Sequence, residues 1–298
     1  MANLVYMAKS AWTGLLDTIR AKAGTAASMT VSEATTAVQN IPTGGGGSEE
    51  YEQLVLRTIS AASGSMSTIG NYAFAYCFSL ASVQFPSLES LGQYAFTGCR
   101  SLINADFPEL TYIGSGAFAE CTYITSASYP LVDYIGASAF MNCSSLTTVY
   151  VPSVRLIGAS AFLGCTHLTN INIEKATVIP SNCFSYCISL STLTAPNALN
   201  ISAGAFSRCF SIKELSFPKA TYIEGQAFKQ CYNLLSLYLL ASSVASLLSY
   251  DAFASTPISN RTTSTGGVYG SIFVPASLYD SYISAANWSK YSERFVSV

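Results

Sequence analysis

The 298-residue chain is half apolar and only 10% charged, far below the roughly 25% of an ordinary globular domain, so it is not a disordered chain. Fourteen Lys and Arg against sixteen Asp and Glu leave a net charge of -2. No basic surface is available to neutralise a nucleic-acid backbone, and no nucleic-acid partner is expected.

Met1 to Lys9 lacks a charged start followed by a long apolar core, so it does not read as a secretory signal. Residues 10–23 read as an amphipathic helix with Trp12, Leu15, Leu16 and Ile19 on one face, ended by Lys22 and Gly24. Thr30-Val-Ser-Glu33 is a capping-box pattern opening a second short helix whose apolar side is Ala34, Ala37, Val38 and Ile41. Pro42 stops it. Residues 1–42 are thus expected to form a small helical hairpin, and residues 43–52, with Gly44 to Ser48, a flexible linker. A hairpin this small buries little surface, which points to packing on a second copy or on a larger assembly.

From residue 53 onward a repeat takes over. Ala-Phe recurs every 22 residues at Phe74, Phe96, Phe118, Phe140, Phe162, Phe206 and Phe228, with Cys183-Phe184 filling the gap. Three residues after each Phe stands a cysteine: Cys77, Cys99, Cys121, Cys143, Cys165, Cys187, Cys209 and Cys231. Leu or Ile follows three further on, from Leu80 to Leu234, and another opens each unit, from Ile69 to Ile223. Proline closes most units, as at Pro86 and Pro152. So regular a period is the signature of a solenoid, in which each unit buries its apolar face only against its neighbours.

Each unit has two halves. Leu146-Thr-Thr-Val149-Tyr-Val151-Pro152 alternates apolar and polar residues as a short strand does. Ala161-Phe162-Leu-Gly-Cys165 spaces Phe and Cys to suit one turn of helix. The expectation is an α/β solenoid with a parallel sheet on one face and short helical turns on the other. The polar stretch Ser259 to Ser271 is an insertion, and Ala276 to Ala286 reads as a helix. With Trp288, Tyr291 and Phe295 it would cap the last core layer, about residues 276–298 of a solenoid spanning 53–298. The uncharged stretch Tyr232 to Tyr250 is long enough to raise a membrane helix. Its serines, and leucines in register with the repeat, argue against insertion.

The columns resemble the BspA-like class of bacterial leucine-rich repeats, whose unit reads roughly Ile-x3-Ala-Phe-x2-Cys-x2-Leu-x2-Val-x2-Pro. The resemblance covers residues 54 to about 275, with local departures: Glu174 and Leu240 for proline, Cys183 for alanine and Thr256 for cysteine. It implies a leucine-rich repeat fold and a surface adhesin. Separately, Leu15-Leu-Asp-Thr-Ile-Arg20-Ala-Lys-Ala-Gly24 with Met29-Thr30 and Ile41-Pro42 resembles the short leader of tail-associated structural proteins of phages and prophages of Gram-positive bacteria. That resemblance implies anchoring to virion or tail components through residues 1–42.

Little in the sequence suggests catalysis. Stacked cysteines at about 4.8 Å would hold Cβ atoms beyond the roughly 3.5–4.5 Å of a disulfide, so they read as a column of buried thiols. Cys183 and Cys187 form a C-x3-C, but Cys183 belongs to the alanine column, and no metal site is expected. His167 occupies a loop column filled elsewhere mostly by serine, with no nucleophile and acid spaced to meet it, so no enzyme is expected. Gly44 to Gly47 lack the Lys-Ser/Thr of a phosphate loop, and no cofactor is implied.

The outward strand positions carry the binding candidates Asn104, Asp106, Thr148, Tyr150, Asn170, Asn172, Glu214 and Tyr238. Hydroxyls, amides and occasional rings suit hydrogen bonding and stacking with a bacterial surface glycan or protein. The alternative is that these residues only solubilise an exposed sheet. Tyr112, Tyr134 and Tyr222 add rings in an edge column. Leader, tether and solenoid in that order give a leading expectation of a recognition protein of a phage or prophage particle, in the virion or outside the cell. A BspA-like adhesin at the bacterial cell surface is the alternative, an intracellular scaffold is a third class, and homo-oligomer formation stays open.

Overall fold

Backbone groups that one coil cannot satisfy alone dictate the architecture, because the 22-residue period places a partner for each in the next coil. The computed structural model describes Thr58–Ser60, 67–259 and 269–298. The expected hairpin over 1–42, the linker over 43–52 and most of the Ser259 to Ser271 insertion lie outside the described residues. Within them the chain is a parallel-strand solenoid of the leucine-rich repeat fold.

Each coil contributes a three-residue strand, such as Thr148–Tyr150, and a two-residue strand, such as Tyr134–Ile135. Within each sheet section they pair in parallel and in strict register with the equivalent residues one coil away: Asn170 lies between Thr148 and Thr192, and Asn172 between Tyr150 and Thr194. The middle residue of the longer strand points inward, as Val149 and Ile171 do. The second ladder, from Thr68–Ile69 to Ser246–Leu247, has no counterpart in the sequence reading. With one inward residue per strand, alternation has no length over which to show.

The arc between the two strands also differs from its expected form. It is not a helical turn but a run of tight turns, with Ala139 N–H donating to Gly136 carbonyl, Met141 to Ser138 and Cys143 to Phe140. Ser138 and Asn142, which bracket Phe140, have φ of 56° and 59°. Left-handed residues at that spacing cannot sit in a continuous helix. Their conformation turns amides toward the next coil instead: Ser138 donates to Ala159 carbonyl at 2.9 Å, Phe140 to Ala161 at 2.8 Å and Asn142 to Leu163 at 2.7 Å. The arcs therefore make a third ladder, and Phe and Cys still face inward.

Inside, the rings stack. Successive Phe centroids from Phe74 to Phe253 are 5.1–5.7 Å apart with planes within 16°. Each such pair adds about 0.5–1.5 kcal/mol beyond burial. Where the strand supplies a small inward residue, as at Ala105 and Ala127, the position two residues on is Phe107 or Tyr129, which fills the space. The Tyr129 hydroxyl, buried with its ring, donates to Ala105 carbonyl at 3.2 Å.

Gly92, Gly114, Gly136 and Gly158 stack backbone on backbone: a Cβ on Gly158 would lie 2.2 Å from the Ala137 amide nitrogen. The Gly158 amide donates to Ile135 carbonyl. Pro180 occupies the next place in this column and has no such hydrogen. The ladder of two-residue strands breaks there, between Leu156–Ile157 and Val178–Ile179.

At the C-terminal end the expected helix over 276–286 is shorter: a 3-10 turn at Ala276–Leu278 leads into a helix at Tyr279–Ser284. After a second 3-10 segment, Phe295–Ser297 adds a last parallel strand beside Ser271–Val274. Trp288, Tyr291 and Phe295 are buried over Phe253 and its coil. The Trp288 indole donates to Ala245 carbonyl at 2.6 Å and the Ala245 amide donates to the Tyr282 hydroxyl at 3.0 Å. These bonds satisfy backbone that would face an open coil. Tyr232 to Tyr250 contains the strands Ser236–Tyr238 and Ser246–Leu247. No helix of the described residues is long and apolar enough to cross a membrane.

Truncating one ring empties a site closed by stacked neighbours above and below. Phe140→Ala should lower unfolding free energy by about 3–5 kcal/mol, read from urea denaturation; a loss below about 1 kcal/mol would contradict the packing.

Candidate binding face

The three-residue strands hold the outward candidates by pairing, so their Cα positions are fixed by the core behind them. Asn104, Asp106, Thr148, Tyr150, Asn170, Asn172 and Glu214 are exposed, while Tyr238 is half-buried. Hydrogen-bonded pairing brings Thr148, Tyr150, Asn170 and Asn172 together in one four-stranded section. Asn104 and Asp106 belong to the section before it, and Glu214 and Tyr238 to the section after. The eight candidates thus form one central cluster and two outlying pairs.

Tyr150 is 58% exposed, and its column neighbours Ser128 and Asn172 are too small to cover the ring. Tyr238 differs, because its ring stacks on Phe273 at 4.4 Å. Asn172 is held in place: its amide donates to Glu174 Oε1 at 2.8 Å and its carbonyl accepts the Glu174 amide at 3.1 Å. A proline, the usual residue at this point of the unit, could not make the second bond. Glu174, read from sequence only as a departure from the pattern, is therefore what orders Asn172. Asn170 Nδ2 donates to Thr169 Oγ1 at 3.1 Å.

One further column went unnoticed in the sequence. Thr147 Oγ1 donates to Thr125 carbonyl at 2.9 Å, Thr169 to Thr147 at 3.2 Å and Ser191 to Thr169 at 3.1 Å. Its signal was available, since hydroxyl residues recur at one repeat position from Thr125 to Ser191. In the two outward columns, Asp106 and Glu214 carry the only charges, both negative and away from the centre. The strand positions at the centre offer neutral donors, acceptors and one uncovered ring, with the Glu174 carboxylate beside Asn172, a set that binds polar surfaces.

The remaining candidates for chemistry lie elsewhere. His167 is exposed, with Nδ1–H donating to Ser144 carbonyl at 2.6 Å. Among the described residues no group of three or more His, Cys, Asp or Glu side chains could hold a metal ion. All nine cysteines are free thiols. From Cys99 to Cys231 the repeat-column thiols donate to the carbonyl of the Phe in the preceding coil, as Cys143 does to Phe118 at 3.0 Å. Burial pushes the thiols of Cys143, Cys165, Cys187 and Cys209 well above the ordinary value and that of Cys231 up to about 12. Cys77, half-buried at the start of the column, is held below it by the neighbouring Cys99 side chain.

The signature of the BspA type leucine-rich repeat region matches residues 47–165 and 133–260, with six copies. The chain belongs to this family. Among solved structures, a leucine-rich repeat protein from Bacteroides ovatus is 21% identical with a TM-score of 0.58, the match covering 81% of this chain and 66% of that one. That likeness is one of fold. The T. pallidum leucine-rich repeat protein TpLRR is 27% identical over 52% of this chain and 78% of its own, with a TM-score of 0.48. A leucine-rich cell surface protein from Faecalibacterium prausnitzii is 18% identical, covering 81% of this chain and 83% of its own, with a TM-score of 0.36. None of these matches is to an enzyme family. No curated protein matches the sequence.

In this family member, iodoacetamide should modify Cys77 alone under native conditions, and the fully buried cysteines only on unfolding; rapid labelling of Cys143 in the folded protein would contradict the column. The same burial fixes the sign of a pH effect. The unfolded chain ionises its thiols above about 8.5, while the folded chain keeps them protonated. Stability from this source is therefore complete below that pH and is lost as pH rises toward the folded value, about 12 at Cys231. Tm should fall on the alkaline side and fall less when Cys231 is replaced by Ala.

Proposed function

We propose that the chain is a non-catalytic recognition protein that binds a bacterial surface glycan or protein through the face centred on Thr148, Tyr150, Asn170 and Asn172. The observation that carries this reading is Tyr150: a ring 58% exposed and without a covering neighbour, set among neutral polar side chains on an internally stacked frame. A pre-ordered polar face with an accessible ring spends little conformational entropy on association. Membership of the BspA-type repeat family supports adhesion or protein binding at a bacterial cell surface.

Tyr150→Ala combined with Asn172→Ala should abolish attachment to target cells or to positive spots of a glycan array, with Tm unchanged. An undiminished binding profile would reject this face.

A second reading concerns attachment of the protein itself. The pattern from Leu15 to Gly24, the closing Ile41-Pro42 and the Gly44 to Ser48 tether favour residues 1–42 as an anchoring leader on a phage or prophage particle, with the solenoid as its receptor-binding part. Deleting residues 1–42 should then abolish incorporation into particles while leaving cell binding by the solenoid intact. Unchanged incorporation would remove the virion reading and leave the cell-surface one.

A further inference from the structure

The second ladder carries a surface of a different kind. Its outward column runs Tyr112, Tyr134, Leu156, Val178, Asn200 and Tyr222, one residue per coil. Strand pairing from Tyr112 to Leu156 and from Val178 to Tyr222, with arc amides bridging the junction between the two sections, places successive members about 4.8 Å apart, so six of them extend over roughly 24 Å. Four of the apolar members are not recessed: Leu156 is 61% exposed, Tyr222 47%, and Tyr112 and Val178 40% each, while Tyr134 between them is half-buried. Tyr112 and Tyr134 stack on each other at 4.7 Å with planes 3° apart, so each covers one face of the other. Leu156 and Val178 at the centre of the strip give a sugar ring no aromatic face to stack on. The strip suits another apolar protein surface.

The charges beside the strip select which one. Glu89 and Glu109 flank its N-terminal half, and Lys175 and Lys219 its C-terminal half, all exposed. Between them Asp133 and Arg155 form an exposed ion pair at 3.4 Å. In the two repeat columns that hold these residues the order is thus acidic, apolar with a central ion pair, then basic, the adjacent Glu174 being tied to Asn172. Turned end for end about an axis between Tyr134 and Leu156, the order matches its own complement. Tyr134 meets Leu156, Tyr112 meets Val178, Glu109 meets Lys175, and the two Asp133–Arg155 pairs face each other in alternating sign. A parallel arrangement would instead set like charges opposite each other. Self-complementarity under a two-fold axis is what an isologous dimer interface requires.

We infer that this face binds a second copy of the chain in an antiparallel two-fold dimer, with Leu156 and Tyr134 at the axis. The strip lies on a different ladder from Tyr150 and Asn172, so the dimer would leave both binding faces free and double the valency of the particle or cell-bound protein.

Sedimentation of the full chain over a range of concentrations tests the inference. The wild type should show a monomer–dimer equilibrium that weakens with added salt, because the flanking pairs are solvent-exposed. Leu156→Glu should leave only monomer, and Glu109→Lys should weaken association about tenfold or more. Adding Lys175→Glu to Glu109→Lys should restore it, a rescue that general surface effects would not give. Circular dichroism and Tm of each variant check that the fold is intact. With Cys77 replaced by Ser, a Tyr134→Cys, Leu156→Cys chain should form an oxidised covalent dimer, since the remaining natural thiols are buried. A wild type that stays monomeric up to about 100 μM, or self-association that persists in Leu156→Glu (through residues 1–42, for example), would overturn the proposal. Neither result touches the cell-binding assay of Tyr150→Ala with Asn172→Ala, so the two readings fail separately.

Discussion

The distance between coils governs this molecule. Alternate backbone donors in the arc beside Phe140, the strand residues within each section and the stacked Phe rings find partners one period away, and all of these contacts demand nearly the same spacing. A backbone ladder wants about 4.8 Å, and stacked rings at 5.4 Å accommodate it with a small lateral offset. Gly158 is small because its coil must come down onto Ala137. The left-handed residues on either side of each Phe from Phe74 to Phe228 are tolerated because the strain returns amide hydrogen bonds to the next coil. Remove the common spacing and none of these local choices makes sense singly.

The repeat alone makes the core legible. Recurrence at 22 residues assigns Phe140, Cys143 and Leu146 to the interior, and they are fully buried. Local conformation was harder to read. Phe and Cys three apart are compatible with a helical turn, and nothing in the residue types at 138 and 142, Ser and Asn in this coil, Tyr94 and Gly98 in another, announces a left-handed backbone. Positions that must adopt it share geometry but not chemistry, so single-residue preference says little. The second ladder was hidden for a related reason, since two residues are too few to show alternation.

The candidate face was legible in outline. Outward positions follow from the strand period, and the exposure of Asn104, Tyr150 and Asn172 agrees with it. Which of them form one surface did not follow, because the section boundaries depend on coil-to-coil hydrogen bonding. Nor did the ordering of Asn172, which depends on a backbone hydrogen present only because Glu174 is not proline. Departures from the consensus are informative in both directions here: Glu174 adds a bond that the usual residue forbids, while Pro180 deletes one that the usual residue provides. The apolar strip on the other ladder shows the same limit. Leu156 and Val178 look like core residues in a linear pattern, and only the fold turns them outward.

The loss at Pro180 has a mechanical side. The longer strands are also discontinuous, once between Asn104–Asp106 and Ser126–Ser128 and again between Thr192–Thr194 and Glu214–Ser216. These gaps never coincide with the one at Pro180: where one ladder is interrupted, the other and the arc amides still cross the junction. The arrangement is that of brickwork with staggered joints. A tear opened at one gap meets intact courses on its other sides, so a pulling force, such as an adhesive protein bears between two moving bodies, is shared among neighbours instead of unzipping the rod along a single plane.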